Sequence, residues 1–459
     1  MSAIIDRSDF IIDTGNLRYM DKKQLSGFSK WTKQEKIQWV VDHYTGDATA
    51  AAGKLAQFQF SDEQQEVLDG FSENTISNFP LPYGIAPHFV INGRPYVIPM
   101  VIEESSVVAA AAAAAKFWKS RGGFSARVLQ TTKVGQIHFR WTGTESVLQD
   151  SLLFFEKKVR EETEEFTRNM RNRGGGLEKI NLLPMPEVGA HIYQLQFTFD
   201  TCDSMGANFI NSVLEQSASL WEEQLSEKGN SGDEIEIIMS ILSNYTPDCV
   251  VRAEVHCPVR DLGTFAEGMD AKTFARRFKR AVDIAHHDVY RATTHNKGIF
   301  NGIDAVVLAT GNDFRAVEAA GHAYAARSGQ YRSLTSCEVS EGQFGFSLQL
   351  PLALGTVGGL TTLHPMAALS LEILQQPTAC QLMEITASMG LAQNFSALRS
   401  LVTVGIQRGH MKMHLNNILI NFQATREEKE RAYQHFKDQV VSFGAVRLYL
   451  EKLRGALPH

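Results

Sequence analysis

Cysteine is scarce and scattered in this chain of 459 residues: Cys202, Cys249, Cys257, Cys337 and Cys380 contain no CxxC pair. An odd, dispersed set argues against a disulfide framework and a structural zinc site, and it predicts a reducing, cytoplasmic setting. Long apolar runs are missing as well. The longest, Val107 to Ala115, falls far short of the roughly 20 residues a membrane helix needs, so no membrane partner is expected. No basic block stands out and the formal net charge is −6, which argues against nucleic acid as the main partner. The opening Met1-Ser2-Ala3-Ile4-Ile5-Asp6-Arg7 is interrupted by acids and lacks a signal-peptide pattern. Two familiar motifs are also lacking. Neither Gly174-Gly175-Gly176 nor Asp203-Ser204-Met205-Gly206-Ala207-Asn208 reads GxGxxG, so a Rossmann fingerprint is excluded. His410 and His414 have the spacing of a zinc hydrolase, but Met411 stands where the general base belongs, and no metal is expected.

What is present alternates between helix and strand signals. Residues from about Lys22 to Leu68 read as polar helices with loop breaks. Phe71 to Ile102 is cut into short extended pieces by five prolines, with a hairpin turn at Asn92-Gly93. The alanines from Ala109 to Ala115 read as a buried central helix. Val134 to Trp141, Ile192 to Phe199 and Ile235 to Ile241 read as strands. Between them lie a charged helix over Leu152 to Arg171 and a second helix after Asp203. This β-α-β-(β)-α-β order is that of a small ferredoxin-like unit. The segment beyond about Val404 reads as helical and charge-rich.

The chemistry concentrates around His295-Asn296-Lys297-Gly298, with Thr310-Gly311-Asn312-Asp313 downstream. Between them, Ile303 to Leu308 reads as a largely buried strand, which would put Asn312 and Asp313 at a strand-to-helix turn. A cation and a carboxylate flanking a buried segment need partners or a task. Taken alone, Asp313 reads equally as a helix cap and Lys297 as a solvated lysine. The Asp203–Asn208 string opens a helix, where backbone N–H groups can bind phosphate; an aspartate cap is the plainer reading.

Taken together, these strings resemble class II, bacterial-type 3-hydroxy-3-methylglutaryl-coenzyme A reductases. The resemblance runs from Glu73-Asn74, through Val101-Ile102-Glu103-Glu104-Ser105-Ser106, Arg173-Gly174-Gly175-Gly176, Met205-Gly206-Ala207-Asn208 and Ile241-Leu242-Ser243-Asn244. It continues through Arg291-Ala292-Thr293-Thr294-His295-Asn296-Lys297-Gly298, Val357-Gly358-Gly359 and Gly390-Leu391-Ala392-Gln393-Asn394 to Gly409-His410-Met411. It implies an α+β fold: a large mixed domain (1–125 plus 244–403) around the Ala-rich helix, an inserted ferredoxin-like dinucleotide-binding domain (126–243) and a helical C-terminal flap (404–459). It also implies two-step reduction of hydroxymethylglutaryl-CoA to mevalonate and free CoA. Lys297 would steady the oxyanion and Glu73 would supply a proton. Asp313 would couple to both, and His410 would protonate the leaving thiolate. Arg291, Asn301, Asn244 and Gln393 match substrate-lining positions. Asp203, Met205, Gly206, Ala207 and Asn208 match the cofactor segment. Active sites of the family form between subunits, so a homodimer or larger homo-oligomer is expected.

The family's ENVIG is here Glu73-Asn74-Thr75-Ile76-Ser77, its DAMGAN has Ser204, and its Glu-Glu-Pro-Ser is Glu103-Glu104-Ser105-Ser106. None of these departures removes a catalytic group. NAD-preferring relatives carry an acid before the triple glycine, whereas this chain has Thr167 and Arg168 there, which favours NADPH with NADH as the alternative. Oxidation of mevalonate with NAD is one rival reading, and a non-catalytic CoA-binding homologue is another.

Overall fold

The structure is a computed structural model that describes residues 27–230, 232–265, 268–403, 415–437, 439 and 441–455. It divides into two compact units, Met1–Leu81 and Pro82–His459.

The first unit is helical: α1 (Lys33–Tyr44), α2 (Ala48–Gln57) and α3 (Asp62–Asp69). Thr32 and Glu35 form a capping box that satisfies two orphan N–H groups at the start of α1. Lys33 reaches the Asp69 carboxylate at 2.7 Å and so ties the start of α1 to the end of α3. Glu73 follows α3 in an exposed turn, beside Asn74 at φ 58°.

The second unit opens with β1 (Tyr83–Ile91) and β2 (Arg94–Val101), an antiparallel hairpin. Its turn is the expected one: Asn92 and Gly93 both have positive φ (50° and 78°), which the two-residue hairpin loop demands. The alanine helix follows as α4 (Val107–Lys119), burying Ala111, Ala114, Ala115 and Trp118. Then comes a four-stranded antiparallel sheet, β4 (Lys133–Trp141), β5 (Gly176–Pro184), β6 (Ile192–Asp200) and β7 (Ile235–Ser243), in the order β5-β6-β4-β7. The long helices α5 (Glu145–Glu162) and α7 (Ala207–Lys228) pack on it, and with that strand order they make the ferredoxin-like arrangement. Its core is its own, built on Phe139, Phe155, Phe197 and Trp221. The charged helix expected over Leu152 to Arg171 is in fact two, α5 and α6 (Glu164–Asn172), broken at Thr163.

A second antiparallel sheet, β3 (Ser125–Val128), β8 (Val250–Pro258), β9 (Thr335–Ser340) and β10 (Gln343–Pro351), runs β3-β8-β10-β9. Helices α8 (Ala271–His287), α9 (Val289–Ala309) and α13 (Ala379–Val402) pack around it with α4 in one large core. Two further elements, α10 (Phe314–Ala325) and α12 (Pro365–Ile373), contact α9, and the short α11 (Leu360–Leu363) packs on α12. α13 is buried along most of its length. α9 and α13 approach closely at glycines: a Cβ on Gly302 would lie 2.9 Å from Gln393 Cβ, and one on Gly390 would lie 2.8 Å from Ile303. The C-terminal helices Arg426–His435 and Phe443–Gly455 share a small cluster with Leu419, Ala432, Phe436, Val446 and Leu450.

One expectation is overturned. Ile303 to Leu308 is the last part of α9, not a strand. Burial runs through Ala292, His295, Ile299, Ile303 and Val306, a helical spacing that the β-branched run masks when read alone.

Candidate active site

Lys297 sits in the middle of α9, and its Nζ donates to Glu104 Oε2 at 2.7 Å. One turn on, Asn301 Nδ2 donates to the same oxygen at 3.3 Å. The i, i+4 spacing puts both donors on one face of the helix. Glu104 lies just before α4, and Ser106, the residue that begins that helix, has φ 81°. A non-glycine residue held there costs energy and is a common mark of a functional site.

The lysine and Asp313 do not meet within one chain. Asp313 begins α10, where its Oδ1 accepts from the backbone N–H groups of Arg315 and Ala316, and Arg315 Nε pairs with it at 3.2 Å. The turn between α9 and α10 folds back so that Asn312 N donates to Val307 O. Continuous helix from Lys297 to Val307 separates them by about 15 Å, more than the two side chains span. The turn is helix-to-helix rather than strand-to-helix. Arg291 lies in the first turn of α9, roughly 120° around the axis from Lys297.

Asp313's turn instead adjoins the string assigned to the cofactor. Asn312 and Gly355 exchange hydrogen bonds at 3.0 and 2.8 Å. A Cβ on Gly355 would lie 2.5 Å from Met205 N, so backbone packs on backbone there. Thr356 N donates to Asp203 O. The Asp203 carboxylate accepts from Ala379 N at 2.7 Å, so this aspartate caps α13 rather than α7. Gly206, at φ 91°, starts α7, followed by Ala207 and Asn208. The triple glycine joins them: a Cβ on Gly175 would meet Asp200 O at 2.6 Å. A small cavity lined by Lys133, Met205, Ser243 and Asn244 faces Ala316 and Ala320 of α10.

α6 carries the residues read as selecting the cofactor. Thr167 is buried and its hydroxyl donates to Thr163 O, so it is engaged within its own helix. Arg168 is exposed, and Arg171 pairs with Glu164. Gln393 is buried against α9, and its Oε1 has no hydrogen-bond partner among the described residues. His295 anchors α9: its Nε2 lies 2.6 Å from Thr335 Oγ1. Burial pushes its pKa down to about 3, so it is neutral there. His410 lies outside the described residues, and Glu73 belongs to the N-terminal unit.

Sequence reasoning gave Glu104 no role, although it matched the surrounding string. No spacing rule links a carboxylate at 104 to an amine at 297; only the packing of α4, the hairpin and α9 reveals the pair.

One polar cluster thus sits at mid-helix and another at a glycine-rich helix start, and the sheets are antiparallel, not the parallel sheet of a doubly wound dehydrogenase. A sequence profile described as hydroxymethylglutaryl-coenzyme A reductase matches residues 33–415. The 3-hydroxy-3-methylglutaryl-coenzyme A reductase of Archaeoglobus fulgidus is 34% identical over 443 residues, covering 96% of this chain and 97% of that one. The probable reductase of Borreliella burgdorferi is 32% identical over 400 residues, covering 87% and 89%. The class II reductase structure from Streptococcus pneumoniae bound to NADPH in open conformations is 33% identical, with a TM-score of 0.68, covering 92% of this chain and 100% of that one. The chain belongs to the hydroxymethylglutaryl-coenzyme A reductase family.

Proposed function

We propose that this protein reduces the thioester of hydroxymethylglutaryl-CoA to mevalonate and free CoA, and that Glu104 takes the acid role first assigned to Glu73. The observation that carries this reading is the Lys297–Glu104–Asn301 cluster on α9, in a chain that matches the family along most of its length. A bound reduced nicotinamide supplies a hydride at each of two reductions. Lys297 offers its ammonium to the substrate carbonyl oxygen, where negative charge develops as hydride adds. Glu104, within hydrogen-bond reach of that amine and open to solvent, takes up a proton from water and passes it through the Lys297 amine to the final alkoxide, giving the alcohol. Asn301 holds the carboxylate in place. His410 is the resemblance-based choice for protonating the departing thiolate from the C-terminal flap, and Arg291 for holding the acyl carboxylate.

The ferredoxin-like insert carries the dinucleotide on Asp203, Met205, Gly206, Ala207 and Asn208. Support comes from the glycines at 175, 206 and 355, whose missing Cβ atoms let Asp200, Thr201 and Met205 pack close and so shape the backbone of this segment. NADPH is the favoured donor, because Arg168 is exposed on the helix that precedes the triple glycine, and the class II reductase of Streptococcus pneumoniae is solved bound to NADPH. No helix among the described residues is long and apolar enough to cross a membrane.

Because Lys297 and Asp313 are held apart within one chain, a complete site needs Asp313 from a second copy, and we read the active form as at least a dimer. Two experiments test the function. Oxidation of NADPH, followed by absorbance, must depend on hydroxymethylglutaryl-CoA. Mixed and re-annealed Lys297→Ala and Asp313→Asn chains should then recover about a quarter of wild-type activity, since one site of each mixed dimer keeps both groups. No recovery in proven mixed dimers refutes the shared site.

A further inference from the structure

Lys133 begins β4 and is 5% exposed. Burying an ammonium is expensive, and a strand of this core would accept an apolar residue there. None of the described carboxylates lies within ion-pair distance of it. Its Nζ donates instead to the Thr201 hydroxyl and, at 2.8 Å, to the Ser204 carbonyl. Thr201 Oγ1 also donates to Ser204 O at 2.6 Å, closing a triangle of three hydrogen bonds. Gly206 packs directly on this triangle: a Cβ there would meet Thr201 Cγ2 at 2.4 Å and Oγ1 at 2.9 Å. The amine therefore sits beneath the turn that leads into α7 and fixes its shape from inside. It also lines the cavity it shares with Met205 and Asn244, whose volume of about 20 Å³ holds roughly one water.

From this geometry we infer that Lys133 is a positioning residue for dinucleotide binding: it clamps the Thr201–Gly206 turn so that the backbone N–H groups at the start of α7 are preset for the pyrophosphate. The inference rests on the reading of this segment as the cofactor site. Preorganised donors save a ligand the ordering that a loose loop would impose. Burial lowers the amine's pKa, and the Asp200 carboxylate and the thiols of Cys249, Cys202 and Cys380 oppose that shift. Asp200 is itself engaged, accepting from Thr131 Oγ1 and Cys202 N. The clamp also explains why a loop between a strand and a helix tolerates a serine at 204: that residue contributes its carbonyl to the triangle, while its hydroxyl accepts from Gly206 N.

The test uses Lys133→Met, which keeps the stem and loses the amine, and Thr201→Val, which keeps the shape and loses the hydroxyl. NADPH binding is read by its fluorescence and turnover by absorbance, at a temperature where melting curves show every variant folded. The expected result is a rise of about 10- to 100-fold in both Kd and KM for NADPH in each variant, with KM for hydroxymethylglutaryl-CoA within a few-fold of wild type. A merely structural lysine would lower the melting temperature and leave the NADPH constants unchanged, or raise both KM values together. Either result overturns the inference. A wild-type protein that neither binds NADPH nor turns over would instead overturn the reading of the cofactor site itself.

Discussion

Glu104→Gln tests the acid proposed here against Glu73. The Lys297–Glu104 pair is well exposed, with 61% and 44% of the two side chains accessible, so its contribution to folding is about 0–1 kcal/mol. Glutamine keeps the shape and can still accept from Lys297 and Asn301. The melting temperature should therefore move by only a few degrees. Activity should respond differently. A positioned general acid is worth about 10²- to 10⁴-fold, which corresponds to roughly 2.7–5.5 kcal/mol of barrier. The amide cannot deliver a proton, so kcat in hydroxymethylglutaryl-CoA-dependent NADPH oxidation should fall on the order of a hundredfold or more, with KM for NADPH little changed. Glu73→Gln serves as the control, and its loss should be small. If Glu104→Gln stays within a few-fold of wild type while Glu73→Gln is inactive and folded, the assignment of the acid to Glu104 is wrong and the sequence reading was right.

Three other perturbations follow from the same geometry. Arg168→Glu should raise KM for NADPH about tenfold or more and leave that for NADH within a few-fold, since a carboxylate there repels a 2′-phosphate; equal effects on both cofactors would remove Arg168 from the site. Gly302→Ala should destabilise the fold. A helix-interior alanine normally gains about 1 kcal/mol, but this Cβ would meet Met389 O at 3.0 Å and Gln393 Cβ at 2.9 Å, and overpacking costs about 1–3 kcal/mol; a raised melting temperature would refute the tight contact. Burial and then the neighbouring Glu318 carboxylate push Asp304 well above the usual carboxylate range. The folded state thus holds a proton that the unfolded chain releases at lower pH. Stability from this site is complete below the ordinary carboxylate pKa and is lost as pH climbs through the raised one. Asp304→Asn should flatten the fall of melting temperature between about pH 5 and about pH 9, and an unchanged slope would count against the buried proton.

Local chemistry made much of the fold legible. Asn92-Gly93 specified its hairpin, because few other pairs accept two positive φ values in succession. The alanines specified α4, and alternating strand and helix signals specified the ferredoxin-like sheet. The reading failed at α9, where Ile303 to Leu308 holds three β-branched residues and is buried or half-buried throughout, so its period is invisible within so short a window. The same mistake hid how far apart Lys297 and Asp313 lie, since the run between them was read as a short strand separate from Lys297. Glu104 was missed for a different reason. Glu73 and Glu104 both fall in strings that resemble the family, and nothing in the spacing of Glu104 points to its hydrogen bond with Lys297.

The rigidity of α9 carries the argument for a shared site. A lysine on a flexible loop could swing toward Asp313, but this one is held by a helix locked to α13 through Gly302 and Gly390 and to β9 through His295 and Thr335. Gly298 has no neighbour within 4 Å of its missing Cβ, so it is the one helical glycine between Lys297 and Asp313 where a bend would meet no resistance from packing. A bend at Gly298 alone still leaves the helix from Ile299 to Val307 between the two groups, about 12 Å of axis. An isologous two-fold contact that set the middle of one copy's helix against the end of the other's would remove the difficulty without any bend, and would do so twice. Substrate chemistry on one copy would then depend on the turn that the other copy holds beside its cofactor segment, and this coupling follows from the length of a single helix.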